Sequence, residues 1–203
     1  QRLSRGLGDV YKRQIKDVGK RKIILTDSGN FPSDLYMAQG LVHLLNDQLE
    51  IRICAPEEVL DSLSDEIAVL MLTDVDYRTG RRHDISVISK IAKDNGIVTI
   101  WDLAHSAGAL NLNLKEWDID YAVGCTYKYL NAGPGSPAFI YVNPKKINAV
   151  KPSLMGWLGH QKPFEFLHKY VPGKGINRMK IGTPPVLANA ALAASLKIWD
   201  TVN

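Results

Sequence analysis

Several polar residues capable of acid–base and nucleophilic chemistry come at the ends of apolar, strand-like runs in this sequence. Asp102 ends the run IVTIWD, and His105 follows three residues later. Tyr127 and Lys128 follow the run DYAVGCT and precede a glycine-rich turn, NAGPG, while Thr73 ends an earlier run. Taken singly, such an aspartate usually caps a helix, such a histidine packs in a core, and such a lysine is a solvated turn charge. Because ligands of parallel sheets bind where the strands end, we expect these residues to lie together at one site.

A chemistry that requires a lysine amine opposite a carboxylate is catalysis with pyridoxal 5'-phosphate (PLP). A lysine amine holds the cofactor's aldehyde as a Schiff base. A buried carboxylate faces the pyridine nitrogen and keeps it protonated. Backbone amides, hydroxyls or a helix N-terminus bind the phosphate. The 26-residue spacing between Asp102 and Lys128 leaves room for a strand–loop–strand unit that brings the two groups to one site.

An alternation of strand-like and helical segments must position these residues. The predicted strands are Lys22–Asp27, EIRICA, Glu66–Thr73, IVTIWD, DYAVGCT and AFIYVN. Two helices are predicted, SDLYMAQGLVHLLN with Ser33 as its N-cap and HDISVISKIAKDNG with Gly96 as its stop. This order predicts the α/β class, with a mostly parallel sheet of the seven-stranded type and helices on both of its faces.

Composition and charge exclude several classes of function. The formal charge is +4, but residues 1–14 contribute four basic side chains and one acidic one, so the remainder carries only +1. We therefore predict no nucleic-acid partner. No apolar run reaches the length of a bilayer, so no membrane association is predicted. The two cysteines, Cys54 and Cys125, lie in apolar runs without metal-ligand spacing, and we interpret them as reduced core thiols of a cytoplasmic protein that binds no metal.

The first residues differ in character from the rest of the chain. The stretch SRGLGDVYKRQ resembles the translation of a sequencing adaptor. We expect residues 1–14 to be a non-native leader, although a natural basic tail is the alternative. Residues 15–203 are then expected to form part of a PLP-binding large domain, without the small C-terminal domain.

Long stretches of the sequence resemble the kynureninase family of PLP-dependent hydrolases. The longest resembling block covers residues 101–142, around Lys128. Shorter blocks in the same order are FPSD (31–34), YRTG (77–80), MGWLGH (155–160) and IGTPP (181–185). The resemblance implies the aspartate-aminotransferase-like fold, fold type I. It also implies membership of the class-V aminotransferase superfamily.

The resemblance also implies a set of cofactor-binding residues. That set comprises Phe31, Pro32, Ser33, Asp34, Thr73, Asp102, His105, Tyr127, Lys128, Trp157 and Thr183. Within it, Lys128 would form the Schiff base and move the substrate's α-proton, and Asp102 would pair with the pyridine nitrogen. Tyr127 would reach the phosphate and assist proton transfer, which makes these three the implied catalytic residues.

The remaining members of the set have implied supporting roles. Asp34 would be a second carboxylate near the ring nitrogen, and Phe31 would lie against the cofactor ring. His105 would sit beside the phenolic oxygen or the substrate carboxylate. Trp157 and Thr183 would complete the phosphate site from the neighbouring subunit of a homodimer.

The implied reaction is hydrolysis of L-kynurenine, or of its 3-hydroxy derivative, to anthranilate or 3-hydroxyanthranilate and L-alanine. This reaction belongs to tryptophan catabolism and leads toward NAD biosynthesis. Two alternatives stay open. One is a related PLP lyase, such as a cysteine desulfurase or selenocysteine lyase, and the other is an inactive PLP-fold fragment. Because the implied small domain is missing, we expect the chain by itself to have little activity.

Overall fold

A single mostly parallel sheet forms the centre of the computed structural model, which describes residues 21–46 and 48–201. The predicted leader, residues 1–14, lies outside the described residues. The elements are β1 (Ile23–Asp27), α1 (Pro32–Leu44), β2 (Glu50–Cys54), β3 (Ile67–Thr73), α2 (Ile85–Asp94), β4 (Val98–Asp102), β5 (Tyr121–Cys125), β6 (Ala138–Val142) and α3 (Val186–Leu196).

The strands lie in the order β2-β1-β3-β4-β5-β6. All neighbouring pairs are parallel except β5 and β6, which are antiparallel. The predicted α/β class with a mostly parallel sheet is therefore confirmed, with six strands in the described part of the chain. The strand order reverses at β1, since the chain first moves outward to β2 and then returns to place β3 on the other side. In open α/β sheets such a reversal marks the place where ligands bind.

Apolar side chains on the two faces of the sheet form two cores. Ala38 and Leu41 of α1 pack on the face that carries Ile24. Ile88 of α2 packs on the opposite face, with Leu25 of β1. Because successive side chains of a strand point to opposite faces, a continuous apolar run such as β3 supplies both cores. The prediction of helices on both faces is thus confirmed.

The ends of the helices differ in how well the sequence predicted them. The first helix begins at Pro32 rather than after Ser33, and its N-cap is Phe31, with φ −69° and ψ 135°. The fixed φ of proline suits the first helical position, which explains the earlier start. The second helix ends as predicted, because Gly96 adopts a φ of +68°, which favours glycine.

The chain after β6 forms a lobe of turns and short 3-10 helices, residues 143–185, which leads into α3. Arg178 is buried and anchors this lobe by donating to the carbonyl oxygens of Gly173, Asn148 and Val150 at 2.7–3.1 Å.

In contrast, α3 buries none of its residues. Across the described residues, no helix combines the length and the apolar character that a bilayer crossing requires.

The two cysteines occupy different environments. Cys125 in β5 is buried, as predicted for a core thiol, whereas Cys54 in the edge strand β2 is only half-buried. Both are free thiols, and burial raises the pKa of each. Neither therefore has the lowered pKa of a reactive thiol.

Candidate active site

The amine of Lys128 lies at the carboxyl edge of the sheet, just beyond β5. Its Nζ is 2.9 Å from Nε2 of His105, which follows β4. Burial, and then the positive charge of Lys128, lower the pKa of His105. The imidazole is therefore neutral at pH 7, and its Nε2 can accept a hydrogen bond from the lysine amine.

A close backbone approach brings the segments of these two residues together. Gly108 has a φ of +87°, and a Cβ on this residue would come within 2.8 Å of the carbonyl carbon and oxygen of Tyr129. Only glycine allows this approach without strain. The turn after His105 can consequently pack directly against the turn after Lys128.

Two carboxyl groups, Asp34 and Asp102, form an adjacent pair near this lysine. Asp34 lies in the first turn of α1, and Asp102 ends β4, where its Oδ1 accepts a 2.7 Å hydrogen bond from the amide of Ala104. Burial, and then the adjacent charge of Asp102, raise the pKa of Asp34 to about 8. Burial also raises the pKa of Asp102, although the Ala104 amide opposes this effect. The pair therefore retains a proton at neutral pH, because two adjacent buried carboxylates cannot both ionise at little cost.

One oxygen of the pair is left for a ligand. Oδ2 of Asp34 is buried, and within the described part of the chain it has no hydrogen-bond partner. A buried polar oxygen without a partner is energetically unfavourable, and a ring N–H of a bound ligand would take the place of the proton that the pair holds. A carboxyl pair with an open acceptor and a nearby amine fits an aromatic cation that also carries an aldehyde.

Three aromatic rings form one side of this site. The rings of Phe31 and Tyr77 meet edge to face, with centroids 5.0 Å apart. The ring of Tyr77 stacks on that of His105 at 6.5 Å. Sequence analysis noted Tyr77 only as part of the YRTG block and gave it no role. The available signal was its position in the connection after β3, a strand whose carboxyl end carries Thr73.

Other predicted site residues lie at the same edge but have different partners. The hydroxyl of Thr73 is directed at the carbonyl oxygens of Val75 and Asp102, at 3.4 and 3.5 Å. Pro32 and Ser33 form the first turn of α1, beside Asp34. Tyr127 is 47% exposed, and the Lys128 Nζ lies 5.6 Å from the centre of its ring. A cofactor contact by Thr73 or Tyr127 stays a prediction.

Trp157 and Thr183 belong to a second group, in the lobe after β6. The Trp157 ring is 40% exposed and contacts the rings of Phe164 and Phe166 at 5.8 and 6.0 Å. Gly182, which precedes Thr183, lies against the indole nitrogen of Trp157. Trp157 and Phe166 line a cleft of about 210 Å³. The structure thus places both Trp157 and Thr183 in the lobe, and their predicted role across a subunit interface stays a prediction.

A buried ionic cluster that sequence analysis did not identify lies at the end of β1. Asp27 is fully buried, and its Oδ2 lies 2.5 Å from Nε2 of His83 and 3.4 Å from the Arg81 guanidinium. Its Oδ1 accepts a 2.7 Å hydrogen bond from the amide of Gly29. Although burial opposes ionisation, the hydrogen bond and charge of His83 hold the pKa of Asp27 below its usual value. This cluster ties the connection between β3 and α2 to β1.

The sequence is similar to known enzymes over most of its length. The profile of the family described as aminotransferase class-V matches residues 20–203. A kynureninase of Deinococcus radiodurans is 48% identical over 183 residues, which cover 90% of this chain and 44% of the relative. A kynureninase of Pseudomonas fluorescens is 42% identical and is covered to the same 44%. The chain therefore spans less than half the length of these curated relatives.

Solved structures with the same fold include a cysteine desulfurase and a C-DES mutant. The apo structure of a cysteine desulfurase from Thermococcus onnurineus NA1 has a TM-score of 0.76 at 20% identity, covering 99% of this chain and 51% of that one. A C-DES mutant with glycine covalently linked to its PLP cofactor has a TM-score of 0.80 at 15% identity, covering 100% and 55%. At these identities, the similarity establishes the fold alone.

Proposed function

The chain belongs to the aminotransferase class-V family, and from this premise we propose that it binds PLP through Lys128 and forms the active site of an enzyme that hydrolyses L-kynurenine. The observation that carries this proposal is the convergence of the Lys128 amine, neutral His105 and the Asp34–Asp102 pair at one edge of the sheet. The identity of 42–48% to two kynureninases favours kynurenine over other substrates of PLP enzymes.

The residues present fit PLP. Oδ2 of Asp34 is a buried acceptor suited to a pyridine N–H, and the raised pKa of the pair indicates a site that favours an added positive charge. Lys128 supplies the amine for covalent attachment. Phe31, which is partly exposed beside Asp34, offers a ring surface for stacking.

When bound, PLP withdraws electrons from the α-carbon of the amino acid attached to it. The chain's own residues then position groups and move protons. Lys128 must be neutral to attach the cofactor and to take the α-proton, and Nε2 of His105 is placed to accept a hydrogen bond from the amine and so to orient it. The Asp34–Asp102 pair keeps a hydrogen-bonded negative charge against the ring nitrogen. Tyr127, exposed beside Lys128, is available for proton transfer during addition of water to the substrate's γ-carbonyl.

We further propose that the protein is a cytoplasmic homodimer in which Trp157 and Thr183 of each subunit complete the active site of the other subunit. The exposed rings of Trp157, Phe164 and Phe166 support this proposal, because contiguous exposed aromatic side chains often mark interfaces. Trp157 and Thr183 would then reach the phosphate bound by the other subunit.

Borohydride trapping tests the cofactor assignment. The protein is incubated with PLP, reduced with borohydride and digested, and the labelled peptide is mapped by mass spectrometry. We expect the label on Lys128 and its loss in Lys128→Ala. The matched control is Lys145→Ala, which removes a surface lysine paired with Asp118 and should leave labelling intact. A label on another lysine, or no label, would refute the assignment.

A substrate comparison separates hydrolysis of kynurenine from desulfuration. The full-length gene product is given L-kynurenine and L-cysteine in parallel, and anthranilate fluorescence and sulfide release are measured. We expect anthranilate without sulfide. Both cysteines of this chain lie in strands, and their thiols face the carbonyl oxygens of Thr26 and Ala104, so neither is a mobile sulfur acceptor. Sulfide as the main product would favour the lyase alternative instead.

A further inference from the structure

Tyr77 stands beside the proposed reaction centre but has no part in the function proposed above. It belongs to the connection between β3 and α2, and its side chain is 42% exposed. Its ring meets that of Phe31 in a T-shaped contact and stacks on His105 with an interplanar angle of 26°, and the Arg78 guanidinium lies 5.5 Å from the centre of the ring. Since Nε2 of His105 lies 2.9 Å from the Lys128 amine, the Tyr77 ring borders the space into which a ligand held at Lys128 extends.

The connection that carries Tyr77 is held in place on both sides of this residue. On one side, Oδ1 of Asp76 accepts hydrogen bonds from the amides of Arg78 and Thr79, at 2.7 and 3.3 Å. On the other, His83 and Arg81 are anchored to the buried carboxylate of Asp27. Tyr77 is therefore a half-exposed aromatic ring on an ordered backbone, which is the kind of side chain that can bind an aromatic ligand with little loss of conformational freedom.

We propose that Tyr77 contacts the aryl group of the substrate and selects amino acids with an aryl ketone side chain over aliphatic ones. The inference rests on the proposed function and adds a specificity residue to that site. Phe31 and His105 flank Tyr77, so a planar aryl group that packs against the exposed part of the Tyr77 ring meets a continuous aromatic surface. The side chain of a small aliphatic amino acid such as alanine, bound in the same site, is too short to use this surface.

Two ligands distinguish binding at the aryl contact from binding to the rest of the site. Anthranilate carries the aryl group and L-alanine lacks it, and the dissociation constant of each is measured by isothermal titration calorimetry on the PLP-loaded full-length gene product. Removing the ring in Tyr77→Leu is expected to weaken anthranilate binding about tenfold and to change L-alanine binding by less than about twofold. Tyr77→Phe keeps the ring and should bind both ligands like the parent.

The matched control is Tyr36→Leu, the same substitution at an exposed tyrosine on α1, which should change neither constant. Circular dichroism and the melting temperature of each variant verify that it folds. Unchanged anthranilate binding in Tyr77→Leu overturns the inference, and so does an equal loss for both ligands, because Tyr77 would then act through the scaffold. If the parent shows no borohydride label on Lys128, the proposed function fails, and the inference fails with it. A labelled parent whose Tyr77→Leu variant binds anthranilate normally overturns the inference alone.

Discussion

Replacing Asp34 by asparagine is expected to stabilise the cofactor-free protein at alkaline pH, although the residue belongs to the proposed site. Burial and the charge of Asp102 raise the pKa of Asp34 from 3.8 to about 8. The folded protein therefore holds a proton that the unfolded chain releases near pH 4. Stability is fully present below the unfolded pKa, and it is lost as pH rises through the folded pKa. Asparagine resembles the protonated carboxyl group and does not ionise, so the variant lacks this loss.

The size of the effect follows from the pKa of Asp34. One pKa unit corresponds to about 1.36 kcal/mol, and the interval from pH 5 up to the folded value of about 8 covers about three units. The parent therefore loses up to about 4 kcal/mol of unfolding free energy over these three pH units, relative to Asp34→Asn. This is a large part of the stability of an ordinary domain.

The assay is urea denaturation of the cofactor-free protein between pH 5 and pH 8.5, followed by tryptophan fluorescence. The control is Asp61→Asn, which changes an exposed aspartate and should give a pH profile parallel to that of the parent. Added PLP should flatten the pH dependence of the parent but not of Asp34→Asn, because a ring cation relieves the carboxyl repulsion. Parallel profiles of Asp34→Asn and the parent would show that Asp34 holds no extra proton.

Two further predictions concern the scaffold around the site. His83→Ala leaves Asp27 buried with a weaker partner and should lower the unfolding free energy by about 3 kcal/mol at pH 7 in urea denaturation. Because the pKa of Asp27 is lowered, the difference in unfolding free energy between the parent and His83→Ala should shrink as pH falls through the pKa of Asp27 in the folded parent. A difference that stays constant with pH would contradict the ion pair. Gly108→Ala should cost about 2 kcal/mol, since its Cβ would strike the Tyr129 carbonyl at a positive φ. Gly40→Ala, in α1 with nothing within 4 Å, should instead add about 0.5–1 kcal/mol in the same urea denaturation, and equal effects would refute the close approach.

The sequence predicted the strands well because buried parallel strands are continuous apolar runs. The predicted run Glu66–Thr73 corresponds to β3, Ile67–Thr73, within one residue. The direction of β6 could not be predicted, because an apolar run carries no information on orientation. It follows from the turn of residues 126–137, where the Thr126 hydroxyl donates to Ser136 and folds the chain back along β5.

The candidate site was predicted in part, because some of its contacts depend only on where strands end. That rule placed Asp102, His105 and Lys128 at one edge of the sheet, and the structure brings the last two into contact. Contacts made by the connection after β3 depend on its tertiary path instead. The stacking of Tyr77 on His105 and the burial of His83 against a carboxylate are therefore visible only in the folded chain.

Asp34 and Asp102 are 68 residues apart in the chain. In the sheet, β3 lies between β1, which precedes Asp34, and β4, which ends at Asp102. Such pairings of distant segments form late, since the intervening chain must close first. A vitamin-derived ligand that requires both carboxyl groups would bind only the fully folded sheet. Its binding would then slow unfolding of the native state rather than speed folding. The supply of the vitamin would therefore determine the lifetime of the folded molecule.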